Sequence, residues 1–457
     1  MRLADLRQKH PKFIYQDFSV KEEKNNLKIS FSFQIEPDIK FSPKVTIEQI
    51  NRSQISNLDK ETVNNLAFHL GLMEIPSYWK ATCSPEIIIA AGFLTAEQIR
   101  WWKNLILNGL GQFFYTNKID FTSPNFVKIK TTKKRKQAFL PSKRGLNQDK
   151  ILVPVGGGKD SIVTLEILKK TSQNLNCLIL NPTPATLKII EIAHCKNPII
   201  VRREIDKQLL ELNKKGYLNG HTPFSAYIGF LSTVCAILFD FGKIAVSDER
   251  SANEENLTYL GKKINHQYSK SFHFEKAFAA YAKKYLAENL YYFSFLQPLY
   301  EFQVCQLFSQ YPRYFPYFKS CNKGQKENIW CGNCPKCIFV FTALYPFLEG
   351  KALIKIFGKN FFENKNLWPT VLALIREKDH KPFECVGTKE ETLVALYLSL
   401  KKTKKSLPIL LTKFKEEIVP KHPNLDQLSN KILNSWNEEH NLPANLEKIL
   451  KKRLPQN

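Results

Sequence analysis

A chain of 457 residues has room for two or three domains, and 43% hydrophobic content supplies a sizeable core, which excludes a wholly disordered protein. Lysine and arginine outnumber aspartate and glutamate by 67 to 42, a formal charge of +25, so an acidic partner is expected: nucleotide, nucleic acid or anionic lipid. Ten cysteines in so long a chain do not make a disulfide-dense scaffold and four of them cluster, which points to a reducing cytoplasm and a metal site.

The opening MRLADLRQKHPKF has no apolar core of signal-peptide length. Residues 1–145 read as an α+β domain. Residues 27–34, LKISFSFQ, alternate apolar and polar side chains as a half-buried strand does, with 13–18 and 45–47 as pairing partners. Helical spacing runs over 53–72 and 95–115, the second opening on Thr95 and Glu97. Trp101 and Trp102 lie inside it and are expected to pack in the core. No chemical constellation stands out here. Residues 127–150 form a basic connector containing KTTKKRKQ and PSKRG. It reads as a solvated linker or a mobile loop over a polyanionic substrate. Its single aromatic, Phe139, is too little for a nucleic-acid platform of interleaved basic and aromatic residues.

At 151–170, ILVPVGGGKDSIVTLEILKK, the character changes. The first five residues are apolar, with two valines and an isoleucine, as in a buried parallel strand. Gly156, Gly157 and Gly158 follow, then Lys159, Asp160 and Ser161 open an amphipathic helix. Consecutive glycines bring bare N–H groups close to a ligand, and the helix N-terminus adds its dipole, so strand, loop and helix make an anion site. Neither Walker A nor Gly-x-Gly-x-x-Gly spacing is met. The stretch resembles the Ser-Gly-Gly-x-Asp-Ser loop of the N-type ATP pyrophosphatases, with Gly156 where serine usually stands and Gly157, Gly158, Asp160 and Ser161 matching. That resemblance implies a PP-loop fold that binds ATP and cleaves it between the α and β phosphates.

Strand and helix then alternate: strands at 176–180, 198–201 and 243–247, helices at 162–170 and 223–239. The order predicts a doubly wound parallel α/β sheet with right-handed crossovers and ligands at the carboxyl ends of its strands. The apolar run 228–239 is broken by Ser232 and Thr233 and stopped by Asp240, too short to span a bilayer. In Asn219–Pro223, Thr222 is the expected N-cap and Pro223 the first helical residue, which places His221 at a helix mouth. The segment SDERSANEEN follows a strand directly, and Asp248, Glu249 and Glu254 are candidates to hold Mg2+ on ATP or to act as bases. A third polar cluster, NHQYSKS, contains His266.

Cys321, Cys331, Cys334 and Cys337 lie in CNKGQKENIWCGNCPKC. Two Cys-x-x-Cys turns sharing a cysteine, plus one more, supply four thiolates for a structural Zn2+, ahead of an iron–sulfur cluster or redox thiols. From 346 to 457 the chain reads as helical and basic. Within it, Cys385 and Glu384 sit on a turn bounded by Pro382 and Gly387 and could serve as an acid/base pair.

Taken in order, VGGGKDS, NGHTPFSA, SDERSANEEN, NHQYSKSF, CGNCPKC and KPFECVGT resemble the bacterial UDP-N-acetylmuramoyl-L-alanyl-L-glutamate epimerase family over 151–388. The resemblance implies that ATP adenylates the terminal L-glutamate of UDP-MurNAc-L-Ala-L-Glu. The centre is then inverted and water releases the D-epimer, AMP and diphosphate, in the cytoplasm and in service of peptidoglycan synthesis. The chain is expected to divide into three regions: an N-terminal α+β domain over 1–145, an adenylating domain with the four-cysteine metal site over 146–345, and a helical region over 346–457. Gly156 to Ser161 would bind nucleotide, Lys159 would hold departing diphosphate, and His221, Glu249, His266 and Cys385 are the candidates for proton transfer. The four-cysteine spacing also looks like 7-cyano-7-deazaguanine synthase, which is typically much shorter. A tRNA-binding protein is the third reading, suggested by charge alone.

Overall fold

The computed structural model describes all residues except 1, 51–53, 55–57, 135–138, 172–173, 325–326, 379, 405 and 455–457. The basic core of the connector at Arg135 and Lys136 and the first residues of the helix expected over 53–72 therefore lie outside the described residues.

Alternation governs the first strands. β1 (Lys12–Glu23) and β2 (Asn26–Ile35) pair antiparallel, Phe13 opposite Ile35. Phe31, Phe33 and Ile35 point inward while the residues between them face out. Each buried aromatic contributes about 1.5–3 kcal/mol. β4 (Lys44–Ile47) pairs with β2 as the sequence predicts, Leu27 opposite Ile47, and β3 (Ile39–Phe41), which the sequence did not predict, also pairs with β2. β5 (Glu86–Ile89) and β6 (Lys128–Thr131) close this edge.

The central strands β7 (Lys150–Pro154) and β10 (Lys243–Val246) are buried on both faces, so their pattern is continuous rather than alternating. β7, β8 (Asn174–Leu180) and β9 (Ile199–Glu204) run parallel, and β10 pairs parallel with β7. After the small hairpin β11 (Leu257–Tyr259) and β12 (Lys262–Ile264), β13 (Tyr291–Ser294) adds parallel to β10. The order is β13-β10-β7-β8-β9-β4-β2-β1-β5-β6, with β3 on β2. The protein is thus α/β with a large, mostly parallel mixed sheet. β4 meets β9 antiparallel, Ile47 opposite Val201, so strands from either side of residue 145 hydrogen-bond into one sheet.

Several helices fall where the periodicity puts them. Thr95 caps Ala96–Gly109 with a reciprocal Gln98 box. The span expected as one helix over 95–115 breaks at Leu110 and resumes as Gly111–Thr116. Trp101 and Trp102 pack on Phe230 and Tyr281, as core residues do. Thr222 does not cap the following helix. That helix is Phe224–Phe239, Pro223 occupies the N-cap position, and the Phe224 amide is taken by the Thr222 carbonyl rather than by its side chain. One pairing was not expected: Cys177 in β8 forms a disulfide with Cys195.

Candidate active site

β7 ends at Pro154 and the glycines turn the chain into the Lys159–Leu168 helix. Gly157 has φ +89°, and a Cβ there would stand 3.1 Å from Thr186 Oγ1, so both conformation and space demand glycine. Thr186 belongs to the helix Pro184–Ile192, capped by Thr183 after β8. The Ser161 hydroxyl donates to the Gly158 carbonyl at 3.0 Å, which closes the first turn.

A cavity of about 520 Å³ opens over this turn at the carboxyl ends of β7, β8 and β10. Gly156, Gly158, Asp160 and Ser161 line one side, Thr183 and Thr186 another, and Ser247, Asp248 and Lys270 a third. Lys319, Lys336 and Cys385 complete it. Backbone N–H groups, a helix N-terminus and three lysines around one space suit a polyphosphate.

Lys159 is not among the lining residues. It is 1% exposed and points inward, its Nζ 2.5 Å from Asp160 Oδ1 and 2.8 Å from Glu301 Oε1. Burial opposes its charge, but Asp160 and Glu301 hold it ionised. The cations facing the cavity are instead Lys270, Lys319 and Lys336. Asp160 is half-buried at the cavity wall, and although desolvation opposes it, Lys159, Lys336 and Lys270 keep its carboxylate below the ordinary range.

The SDER segment delivers two carboxyls of different character. Burial pushes Asp248 up to about 6, with Lys270 Nζ 3.7 Å away opposing the shift. Burial pushes Glu249 up to about 8, and Glu301 and Asp160 reinforce it. Near neutrality the first is largely a carboxylate and the second holds its proton, a split suited to acid/base work. Glu254 is occupied elsewhere, paired with Arg376 at 2.6 Å and Lys381 at 3.6 Å. The raised pair carries a stability cost with a definite sign. Both folded values exceed the unfolded ones, so stability is fully present below about pH 4 and is lost as pH rises through 6 and 8. Glu249→Gln should therefore match the parent near pH 4 and exceed it by roughly 2–4 kcal/mol near pH 8.5, read from urea melts at both pH values.

On the other wall stands a chain of three groups. His266 Nδ1 lies 2.5 Å from Gln112 Oε1, and His266 Nε2 lies 4.0 Å from Cys385 Sγ. An amide oxygen only accepts, so Nδ1 carries the proton and Nε2 presents its lone pair to the thiol. The His221 ring packs against His266 with centroids 4.4 Å apart. Burial lowers His221 to about 3 and His266 to about 4. His266 and Lys80 add to the first, and Lys270, Lys336 and Lys381 to the second. Asn256 ties the two sides of the cluster. Its Oδ1 accepts the His266 amide at 2.8 Å while its Nδ2 donates to the carbonyls of Lys381 and Pro382 at 3.2 and 2.8 Å. The Lys336 ammonium donates to the Cys385 carbonyl.

The structure thus unites His221, His266 and Cys385 in one cluster and Glu249 with Asp248 and Lys270 in another. Of the six loop residues, Gly156, Gly158, Asp160 and Ser161 face the cavity. Gln112, Asn256, Lys319 and Lys336 were missed as functional candidates. Lys336 could have been flagged by its place inside Cys-Pro-Lys-Cys, but Gln112 sits in an apolar helical stretch and carries no signal.

The four cysteines converge. Cys321 and Cys334 sulfurs are 3.9 Å apart, Cys331 and Cys337 sulfurs 3.7 Å, and all four lie within 4.8 Å of one another. A tetrahedron with ~2.3 Å metal–sulfur bonds has edges of roughly 3.8 Å, so this donor set fits Zn2+. The Gly324 and Cys331 amides donate to Cys321 Sγ at 3.2 and 3.5 Å, as second-layer partners of a thiolate do.

Comparison with known proteins gives concordant matches. A family described as the MurL N-terminal domain matches residues 4–295, and one described as the MurL C-terminal domain matches 317–429. A UDP-N-acetyl-alpha-D-muramoyl-L-alanyl-L-glutamate epimerase of Xanthomonas oryzae pv. oryzae is 32% identical over 378 residues, 81% of this chain and 82% of that protein. Proteins of the same name from a Micromonospora species and Salinispora tropica are 34% and 31% identical over 70% of this chain, covering 72% and 70% of their own lengths. No solved structure matches.

Proposed function

This chain belongs to the UDP-N-acetyl-alpha-D-muramoyl-L-alanyl-L-glutamate epimerase family, and on that basis we propose that it inverts the terminal glutamate of UDP-MurNAc-L-Ala-L-Glu at the expense of ATP in cytoplasmic peptidoglycan precursor synthesis. The reading extends to a PP-loop fold, with 1–145, 146–345 and 346–457 as its three regions.

One observation carries it. The glycine turn, three lysines, Asp248 and Cys385 line one cavity at the carboxyl ends of the parallel strands, with Glu249 next to Asp248 and His266 next to Cys385 behind that lining. A free carboxylate resists loss of its α-proton because a dianion would form. Adenylation neutralises it, makes the carbonyl an electron sink and acidifies the α-carbon. Gly156, Gly158 and Ser161 would cradle phosphate oxygens, and Lys270, Lys319 and Lys336 would hold the departing diphosphate. Asp248 and Asp160 would hold Mg2+, which would neutralise phosphate charge. Cys385 with His266 behind it, and Asp248 with the protonated Glu249 behind it, would supply the acid and the base, with His221 keeping His266 dry. The zinc set acts on structure, pinning Cys321 and Lys336 to the cavity rim.

The test is incubation with ATP, Mg2+ and UDP-MurNAc-L-Ala-L-Glu in D2O. Deuterium at the glutamate α-carbon with AMP release is the expected outcome. ADP release, or AMP without α-exchange, would defeat the proposal.

A further inference from the structure

The cluster at the rim has more organisation than a proton relay needs. A proton-transfer residue has only to reach the α-carbon. Cys385 is instead backed by an imidazole whose tautomer is set by a third group. Thiol, base and orienting amide, in that order, are the parts of an activated nucleophile. Gln112, on the Gly111–Thr116 helix, holds the Nδ1 proton, so Nε2 is the nitrogen that can take the thiol proton. Asn256 fixes both the His266 backbone and the 381–382 carbonyls, which keeps the turn carrying Cys385 in register with the ring. Cys385 also lines the same cavity as Gly158, Ser161 and Lys270, so an acyl phosphate seated on the glycine turn meets it directly.

We infer that Cys385 is a nucleophile that takes the glutamyl group from AMP, and that inversion occurs on a thioester. This rests on the adenylation reading above. The Cys385 thiol gives its proton to His266 Nε2 as Sγ attacks the acyl-adenylate carbonyl. The C–S bond forms, the C–O bond to phosphate breaks, and AMP leaves with the bonding pair. Glu249 and His266 then exchange the α-proton. Water finally attacks the thioester carbonyl, the C–S bond breaks, and the sulfur recovers a proton. No oxidant or reductant enters. The advantage is chemical: sulfur donates poorly into the carbonyl, so the α-carbon stays acidic, while a thioester resists water longer than a mixed anhydride and gives inversion time to occur.

The experiment pairs the wild type with Cys385→Ala, using ATP, Mg2+ and both epimers of the UDP-muramoyl dipeptide. Exchange of labelled diphosphate into ATP by the wild type reports adenylation alone, so failure at that point condemns the earlier reading rather than this one. The expected result is that acid-quenched wild type carries the dipeptide mass on Cys385. Cys385→Ala should still exchange diphosphate but lose α-deuterium exchange from both epimers by at least about 100-fold. If Cys385→Ala still exchanges the α-proton of one epimer, Cys385 is a one-face base and the thioester is excluded. Wild type that turns over in the quench without label on Cys385 excludes it equally.

Discussion

Lys159→Ala is expected to lower stability by about 3–5 kcal/mol, because it strips the nearest partner from the buried Glu301 carboxylate and from the half-buried Asp160. Glu301 is 1% exposed and Asp160 is held ionised partly by this lysine. Removing the ammonium leaves both charges without their nearest neutralising group, and Lys336 stands 3.9 Å from Glu301, too far to replace a 2.8 Å contact. Lys159→Met combined with Glu301→Gln should recover most of the loss, since an apolar and a neutral group replace the pair together. Urea denaturation followed by circular dichroism gives both values. If Lys159→Ala melts with the parent yet fails to make AMP, the lysine serves the nucleotide directly and its buried contact with Glu301 is incidental.

That case shows where reading residues in order stops working. A lysine after a glycine turn at a helix N-terminus reads as a phosphate ligand, and local chemistry alone supports that. Its direction is decided by Glu301, 142 positions further on and on a different helix. The strands β7 and β10 were legible because burial on both faces forces continuous apolar runs. β2 was legible because one-sided burial forces alternation. The four-cysteine spacing was legible because a metal needs its ligands close, and turns keep them close in sequence too. By contrast, β4 pairing with β9 depends on residues more than 150 positions apart, and no local pattern records it. The same holds for Gln112 and His266, joined across 154 positions. Of the acid/base candidates, His266 and Cys385 were named separately, but their contact spans 119 positions and only the fold makes them a pair.

Cys334→Ser should abolish binding of one zinc per chain, lower stability by about 3–5 kcal/mol, and weaken ATP binding as well. The stability effect follows from geometry. Cys334 is fully buried, stands at the N-cap position of the Pro335–Leu344 helix, and belongs to the core that includes the strand and helix flanking the glycine loop. A hydroxyl there is a poorer zinc ligand than a thiolate, and three remaining thiolates would crowd without a cation between them. The effect on ATP follows from connectivity. Ser320, Cys321 and Asn322 line the cavity, Lys336 lies between two of the cysteines, and the Lys319 amide donates to the Gly157 carbonyl at 3.3 Å. Loosening the cysteine turn therefore releases one wall of the site, two of its three cations and a bond that holds the glycine conformation. Elemental analysis, thermal melting and nucleotide titration on the same preparation separate these steps. A variant that loses zinc and stability but binds ATP like the parent would show the metal to be a remote staple. Loss of all three together is the expected result, because Lys336, which lines the cavity, sits on the turn where the four cysteines converge.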